Sequence, residues 1–221
     1  MANISARETA YRLLRERIIT MELKPGAVLN DKVLAEELGM SRTPVREALI
    51  MLNIARLVVV RPQSGTFVAP IDADIAEEEQ YARYTLEKEM IRRAGGLLTQ
   101  VHKSRYEENL HLYDFYSQSR VPGRETKLLD MDNEFHRIAF IINGKERHYE
   151  RMREYLQHIE RLRILSLLVV KEDNVLSDHQ KIVSAIFEND TAAAEYWTEL
   201  HLNRYRDNLS VIRKAFPEYF E

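Results

Sequence analysis

The chain has 221 residues, 32 Lys+Arg against 35 Asp+Glu, 7 Gly, 6 Pro and no cysteine. The lack of cysteine excludes disulfides and thiolate metal sites, so any metal must be held by His, Asp or Glu. A hydrophobic content of 45% with 30% charged residues describes a globular chain, and no apolar run is long enough to span a bilayer.

Few Gly and Pro in this length favour a mostly helical fold. The first residues lack the unbroken apolar stretch of a secretory signal, so a soluble, cytoplasmic protein with no membrane partner is expected. The net charge of −3 hides an asymmetry: residues 1–70 carry 10 Lys+Arg against 7 Asp+Glu, and residues 71–221 carry 22 against 28. A basic module joined to an acidic one points to an anionic partner for the first.

In chain order, Tyr11, Leu14, Ile18 and Met21 recur at helical spacing and predict an amphipathic first helix. Pro25-Gly26 breaks it. "NDKVLAEELGM" predicts a short second helix, capped by Asn30 or Asp31, with Leu34 and Leu38 inward and Gly39 at the left-handed end. Ser41 starts a third helix, with its hydroxyl as the expected cap and Pro44 in the first turn, where no intrahelical donor is lost. Val45, Leu49 and Leu52 form the buried stripe, and Arg42 and Arg46 share another face. Leu57–Val60 and Thr66–Val68, flanking "RPQSG", predict a hairpin. Three helices and a hairpin make a winged helix-turn-helix, whose cationic helix suits a DNA major groove. The ordinary alternative for Arg46 is a pair with a helix carboxylate such as those around Glu47.

The stretch Pro25-Gly26, Leu34-Ala35, "GMSRTPVREAL" and "GTFV" resembles the DNA-binding domain of the GntR family of bacterial transcription regulators, over about residues 7–70. The resemblance implies DNA roles for Lys32 from the second helix, for Ser41, Arg42, Thr43 and Arg46 on the recognition helix, and for Ser64 and Gly65 at the wing tip. Arg46 is favoured for base reading and Arg42 for base or phosphate. One departure stands out. Ala55-Arg56 replace the acidic residue and Gly usual before the first wing strand, which leaves the left-handed helix cap without its glycine.

From residue 73 the chain reads as a helical bundle of six to seven helices, about 74–95, 102–118, 124–142, 146–170, 177–188 and 191–214. The fold class is thus mainly α, with a winged helix-turn-helix over 1–72 and an all-α effector-binding and dimerisation domain over 73–221. Asp132 and His136 are four apart on one helix face, and His179 and His201 lie on two others. By spacing alone, solvated histidines remain the ordinary reading. Tyr81, Tyr84, Phe135, Phe140 and Trp197 read as core or cavity wall.

Residues 75–214 further resemble the FadR subfamily, whose ligand-binding domain is of the FCD type. Arg83 to Glu87, Asp132 with Phe135-His136, Asp178-His179 and His201 carry this likeness. It implies a divalent metal at Asp132, His136, His179 and His201, and an acid-binding role for Arg83. Zinc is foremost, with nickel or manganese also compatible. Lys145, after Gly144, departs from the subfamily and raises the question of a changed cavity contact.

The whole reads as a DNA-binding transcription regulator, with repression as the expected direction, and not an enzyme. It would bind operator DNA as a homodimer and respond to a small carboxylic acid. The alternatives are a metal-free effector-binding regulator and a metal-dependent hydrolase with a DNA-binding domain.

Overall fold

A capping box starts the first helix of the computed structural model, which describes residues 5–170 and 174–221. The Ser5 hydroxyl accepts from Glu8 N at 3.2 Å, and the Glu8 carboxylate accepts from Ser5 N at 3.0 Å. The helix, α1 (Ala6–Ile19), buries Ala10, Leu14 and Ile18. It is shorter than its apolar spacing predicts: Met21 lies beyond it in a left-handed turn at φ 62°. Asn30 caps α2 (Asp31–Glu37), accepting from Lys32 N and Val33 N. Gly39, at φ 62°, closes it: Gly39 N bonds Glu36 O and Met40 N bonds Ala35 O, the paired bonds of a left-handed helix end.

Ser41 stands at the start of α3 (Arg42–Ile54) in extended conformation, but its hydroxyl makes no capping bond. The expected cap is therefore absent, and the exposed hydroxyl stays available to another acceptor or donor. Arg56 keeps the left-handed end of α3 at φ 57° without a glycine. The bonds Arg56 N to Asn53 O and Leu57 N to Leu52 O hold it there. Strands β1 (Val58–Arg61) and β2 (Gly65–Val68) pair antiparallel, from Val58 with Val68 to Arg61 with Gly65. Val28 adds a bridge to Phe67.

Seven further helices follow among the described residues: α4 (Ala73–Ala94), α5 (Gln100–Gln118), α6 (Arg124–Ile142), α7 (Glu146–Tyr155), α8 (His158–Val169), α9 (Val175–Glu188) and α10 (Thr191–Ala215). The single helix expected over 146–170 is two, parted at Leu156-Gln157. The cause is tertiary: the Glu79 carboxylate on α4 accepts from His158 N and Ile159 N at 2.8 Å each, which caps a new helix there. The expected gap between the helices of about 146–170 and 177–188 falls partly outside the described residues. Gly95 follows α4 where a side chain has no room. A Cβ there would meet Asn189 Cα and Ile186 O at 2.9 Å each.

One apolar cluster runs from the first three helices into the bundle. It joins Leu14, Ile18, Val45 and Leu52 to Leu129, Tyr149, Ile159 and Leu162. Polar ties reinforce this joint. Arg15 on α1 donates to Gln157 Oε1 at 3.0 Å and Arg153 O at 2.7 Å. Arg161 on α8 donates to Ala69 O at 2.6 Å. His158 Nδ1 accepts from Asp72 N at 3.0 Å. Tyr219 O accepts from Ile71 N at 2.7 Å. His158 is thus buried in the joint.

Candidate metal centre and nucleic-acid interface

Three bundle helices bring Asp132, His136, His179 and His201 together. Asp132 and His136 come from α6, His179 from α9 and His201 from α10, and one donor atom from each lies within 4.8 Å of every other. All four residues are buried. His136 Nε2 is 3.1 Å from His201 Nε2, and His179 Nε2 is 3.3 Å from Asp132 Oδ1. Donors about 2.0–2.2 Å from one ion sit about 3–3.5 Å from each other, so these spacings fit a shared divalent ion.

The surroundings fit as well. His136 Nδ1 lies 2.7 Å from Glu87 Oε2, the outer carboxylate that fixes a metal-ligating imidazole. His179 Nδ1 is buried without a hydrogen-bond partner, although burying such a group unpaired is costly. Phe135 stacks on the His179 ring at 3.6 Å and 2° between planes, which fixes its orientation. Burial pushes His179 down to about 3 and also lowers His136, so both imidazoles are neutral, as ligands must be. Burial alone would raise the Asp132 carboxyl. The Arg163 guanidinium and the imidazoles outweigh it and hold the group well below the usual carboxylate range.

A cavity of about 230 Å³ opens beside this cluster, and Arg83, Asp132, Arg163, His201 and Arg204 line part of it. Arg83 is buried, donates to Glu87 Oε1 at 2.8 Å and lies 3.7 Å from Asp132 Oδ2. Arg163 also pairs with Asp132 Oδ2, and its Nη1 lies 3.7 Å from the buried Glu160. Sequence reasoning missed Arg163, although a lone cation inside the apolar run "LRILSLLVV" was a visible signal. Arg204, which pairs with Asp178, was missed as well. Tyr81 corrects an expectation: it is 71% exposed, and so is neither core nor cavity wall. Lys145 is exposed at the start of α7 and does not line the cavity. Glu134 is half-buried, pairs with Arg137 at 3.0 Å and is no part of the ligand cluster.

At the other end of the molecule, Lys32, Ser41, Arg42, Thr43, Arg46, Ser64 and Gly65 are all exposed. Arg46, Ser64 and Gly65 border one surface cleft between α3 and the hairpin. Pro62, Gln63 and Ser64 form the hairpin loop, and Gly65 opens β2. Arg42 and Arg46 both pair with Asp31, the first residue of α2. The carboxylate partner of Arg46 thus comes from the neighbouring helix.

Comparison with known proteins agrees with these two ends. Residues 6–68 match the family described as bacterial regulatory proteins, gntR family, and residues 81–204 match the FCD domain. An uncharacterized HTH-type transcriptional regulator of Streptomyces ambofaciens is 30% identical over 97% of this chain and 89% of its own length. The HTH-type transcriptional repressor RspR of Escherichia coli K12 is 28% identical over 95% of this chain and 91% of its own. Among solved structures, E. coli McbR/YncC superposes with a TM-score of 0.78 at 19% identity, over 97% of this chain and all of that one, which shows a shared fold. No helix among the described residues is long and apolar enough to cross a membrane. The chain belongs to the GntR family and is a transcription regulator with a winged helix-turn-helix followed by an FCD domain.

Proposed function

We propose that this regulator is a homodimeric repressor that releases or retains operator DNA according to a small carboxylic acid held at a metal in the FCD cavity. The carrying observation is the convergence of three imidazoles and one carboxylate beside a cavity that also presents Arg83 and Arg163. Asp132, His136, His179 and His201 would hold the ion, with zinc the first choice for this donor set and nickel or manganese compatible. Such an ion supplies a positive centre with open positions for a carboxylate. Arg83 offers the acid a charge-assisted hydrogen bond, and Glu87 keeps both Arg83 and His136 in place.

The proposed division is a DNA-binding domain over 1–72 and an effector-binding, dimerising domain over 73–221. Lys32, Ser41, Arg42, Thr43, Arg46, Ser64 and Gly65 form the DNA side in this reading. Repression accords with the name of the RspR relative. A regulator of chromosomal DNA works in the cytoplasm. Coupling runs through α8. Arg163 touches Asp132 and Glu160, and Glu160 in turn lies 3.8 Å from Arg15 on α1. An acid that draws Arg163 towards itself changes this chain of charges, and it shifts the equilibrium only by its differential affinity for the two arrangements.

The test is elemental analysis of purified protein, followed by thermal shift with a panel of small carboxylates, metal-loaded and chelator-treated. We expect about one equivalent of metal and stabilisation by an acid only when metal is present. Stabilisation that survives full metal removal would favour direct binding by the histidines and overturn the metal-held receptor.

A further inference from the structure

We propose that Asp31 is the positioning residue that sets DNA specificity, holding Arg46 at Nε so that its end fork is presented to a base. The inference rests on the reading above that α3 enters DNA. Asp31 Oδ1 and Oδ2 both lie 2.9 Å from Nη2 of Arg42, and Oδ2 also accepts from Nε of Arg46. The Asp31 side chain is 20% exposed, against 51% for Arg42 and 61% for Arg46. One half-buried carboxylate therefore restrains two exposed cations.

The atoms matter because a guanidinium has two forks, Nη1 with Nη2 at its end and Nε with Nη2 along its edge. Asp31 engages Arg46 at Nε, which occupies the edge and leaves the end fork free. It engages Arg42 at Nη2, which carries one hydrogen for each fork, so this contact selects neither fork of Arg42. Reading guanine needs two parallel N–H groups directed at O6 and N7, whereas a phosphate oxygen accepts one. The free end fork of Arg46 supplies that pair.

The charge of Asp31 acts in the same direction. It borders the cleft shared by Arg46, Ser64 and Gly65. A carboxylate there opposes the phosphate backbone on every sequence and lowers the sequence-independent part of binding. The correct site regains the loss through the oriented Arg46 fork, and a wrong site does not. A merely structural Asp31, favourable at the first turn of α2, would instead affect all DNA equally.

The experiment starts by selecting duplexes from a randomised pool with the full-length protein. The selected duplex and a shuffled duplex are then titrated at two salt concentrations with wild type, Asp31→Asn, Asp31→Glu, Arg42→Ala and Arg46→Ala. For Asp31→Asn we expect the ratio of selected to shuffled affinity to fall roughly tenfold or more, with shuffled binding equal or tighter, and Asp31→Glu to restore most of the ratio. Arg46→Ala should relax the selected motif at one guanine. Arg42→Ala should leave that guanine preference in place. An unchanged ratio in Asp31→Asn, or an equal loss on both duplexes, overturns the proposal and leaves DNA reading by α3 standing. No enriched motif with wild type overturns that reading as well. Should Asp31→Asn unfold α2, identical behaviour of Arg42→Ala and Arg46→Ala refutes the assignment of atoms.

Discussion

The two ends of this molecule place their charges in opposite ways. The winged helix carries Arg42 and Arg46 in the open, each more than half exposed and tied to one acid. The FCD bundle buries Arg83, Glu87, Asp132, His136, Glu160 and His179 nearly completely. Exposed charges cost the fold almost nothing and exchange partners easily. Buried ones survive only as a mutually satisfied set, and removing one member strands the rest. The winged helix can therefore change its contacts without unfolding, whereas any change in the buried charges of the bundle bears on the stability of its core.

Four measurements break or sharpen this contrast. The largest effect should come from Asp132→Ala, which removes a proposed metal ligand and leaves the buried Arg163 with only the more distant Glu160 as its acid. The expected loss is about 3–5 kcal/mol in chelator-treated protein, read by urea denaturation, together with loss of bound metal by elemental analysis. A loss below about 1 kcal/mol would mean that the cluster is no interdependent set.

Next is pH. Burial raises Glu79 to about 7, above its unfolded value of 4.5. The folded state then binds the proton more tightly, so this group's stabilisation is complete below pH 4.5 and is lost as pH rises through 7. The Glu79→Gln variant lacks that term. Wild-type stability relative to the variant should fall by about 2–3 kcal/mol from pH 4.5 to pH 7.5. His158, pushed down to about 4 by burial, acts in the opposite sense below its ordinary value, and its term cancels when the variant is subtracted. A pH-independent difference would refute the assignment.

Arg46→Ala should weaken binding to a selected operator by about 1–3 kcal/mol and leave chemical stability within about 0.5 kcal/mol of wild type. A matching drop in stability would make Arg46 a structural residue. The smallest effect is at Arg56, whose left-handed conformation costs a side-chain-bearing residue about 1 kcal/mol. Arg56→Gly should stabilise the protein by about that amount in denaturant titration. Destabilisation would show that the side chain contributes more than the backbone strain costs.

The same contrast explains what the sequence disclosed. The DNA-reading end is written in one contiguous stretch, because a helix, a tight turn and a second helix fix their own geometry through local caps and spacing. Asn30, Gly39 and the stripe of Val45, Leu49 and Leu52 could all be read directly. The failures there were of detail: the Ser41 hydroxyl does not cap, and α1 stops before Met21. At the sensing end the four candidate ligands were legible as a set only through family likeness, since they lie on three helices up to 69 positions apart. Arg163 was hidden because an apolar helix conceals which of its faces meets Asp132. The break between α7 and α8 had no Pro or Gly to announce it, since its cap comes from Glu79, far away in sequence.

The connector over residues 69–72 has a consequence for the dimer proposed here. Arg161 binds the carbonyl of Ala69, Tyr219 accepts from Ile71, and His158 accepts from Asp72, so this segment has little freedom to swing. Two winged helices mounted this way behave as the fixed jaws of a caliper. Adding one base pair between half-sites displaces the second by about 3.4 Å and rotates it about 35° round the duplex. A loose tether would absorb that error; in the proposed dimer this joint would not, and half-site spacing would become part of what it recognises.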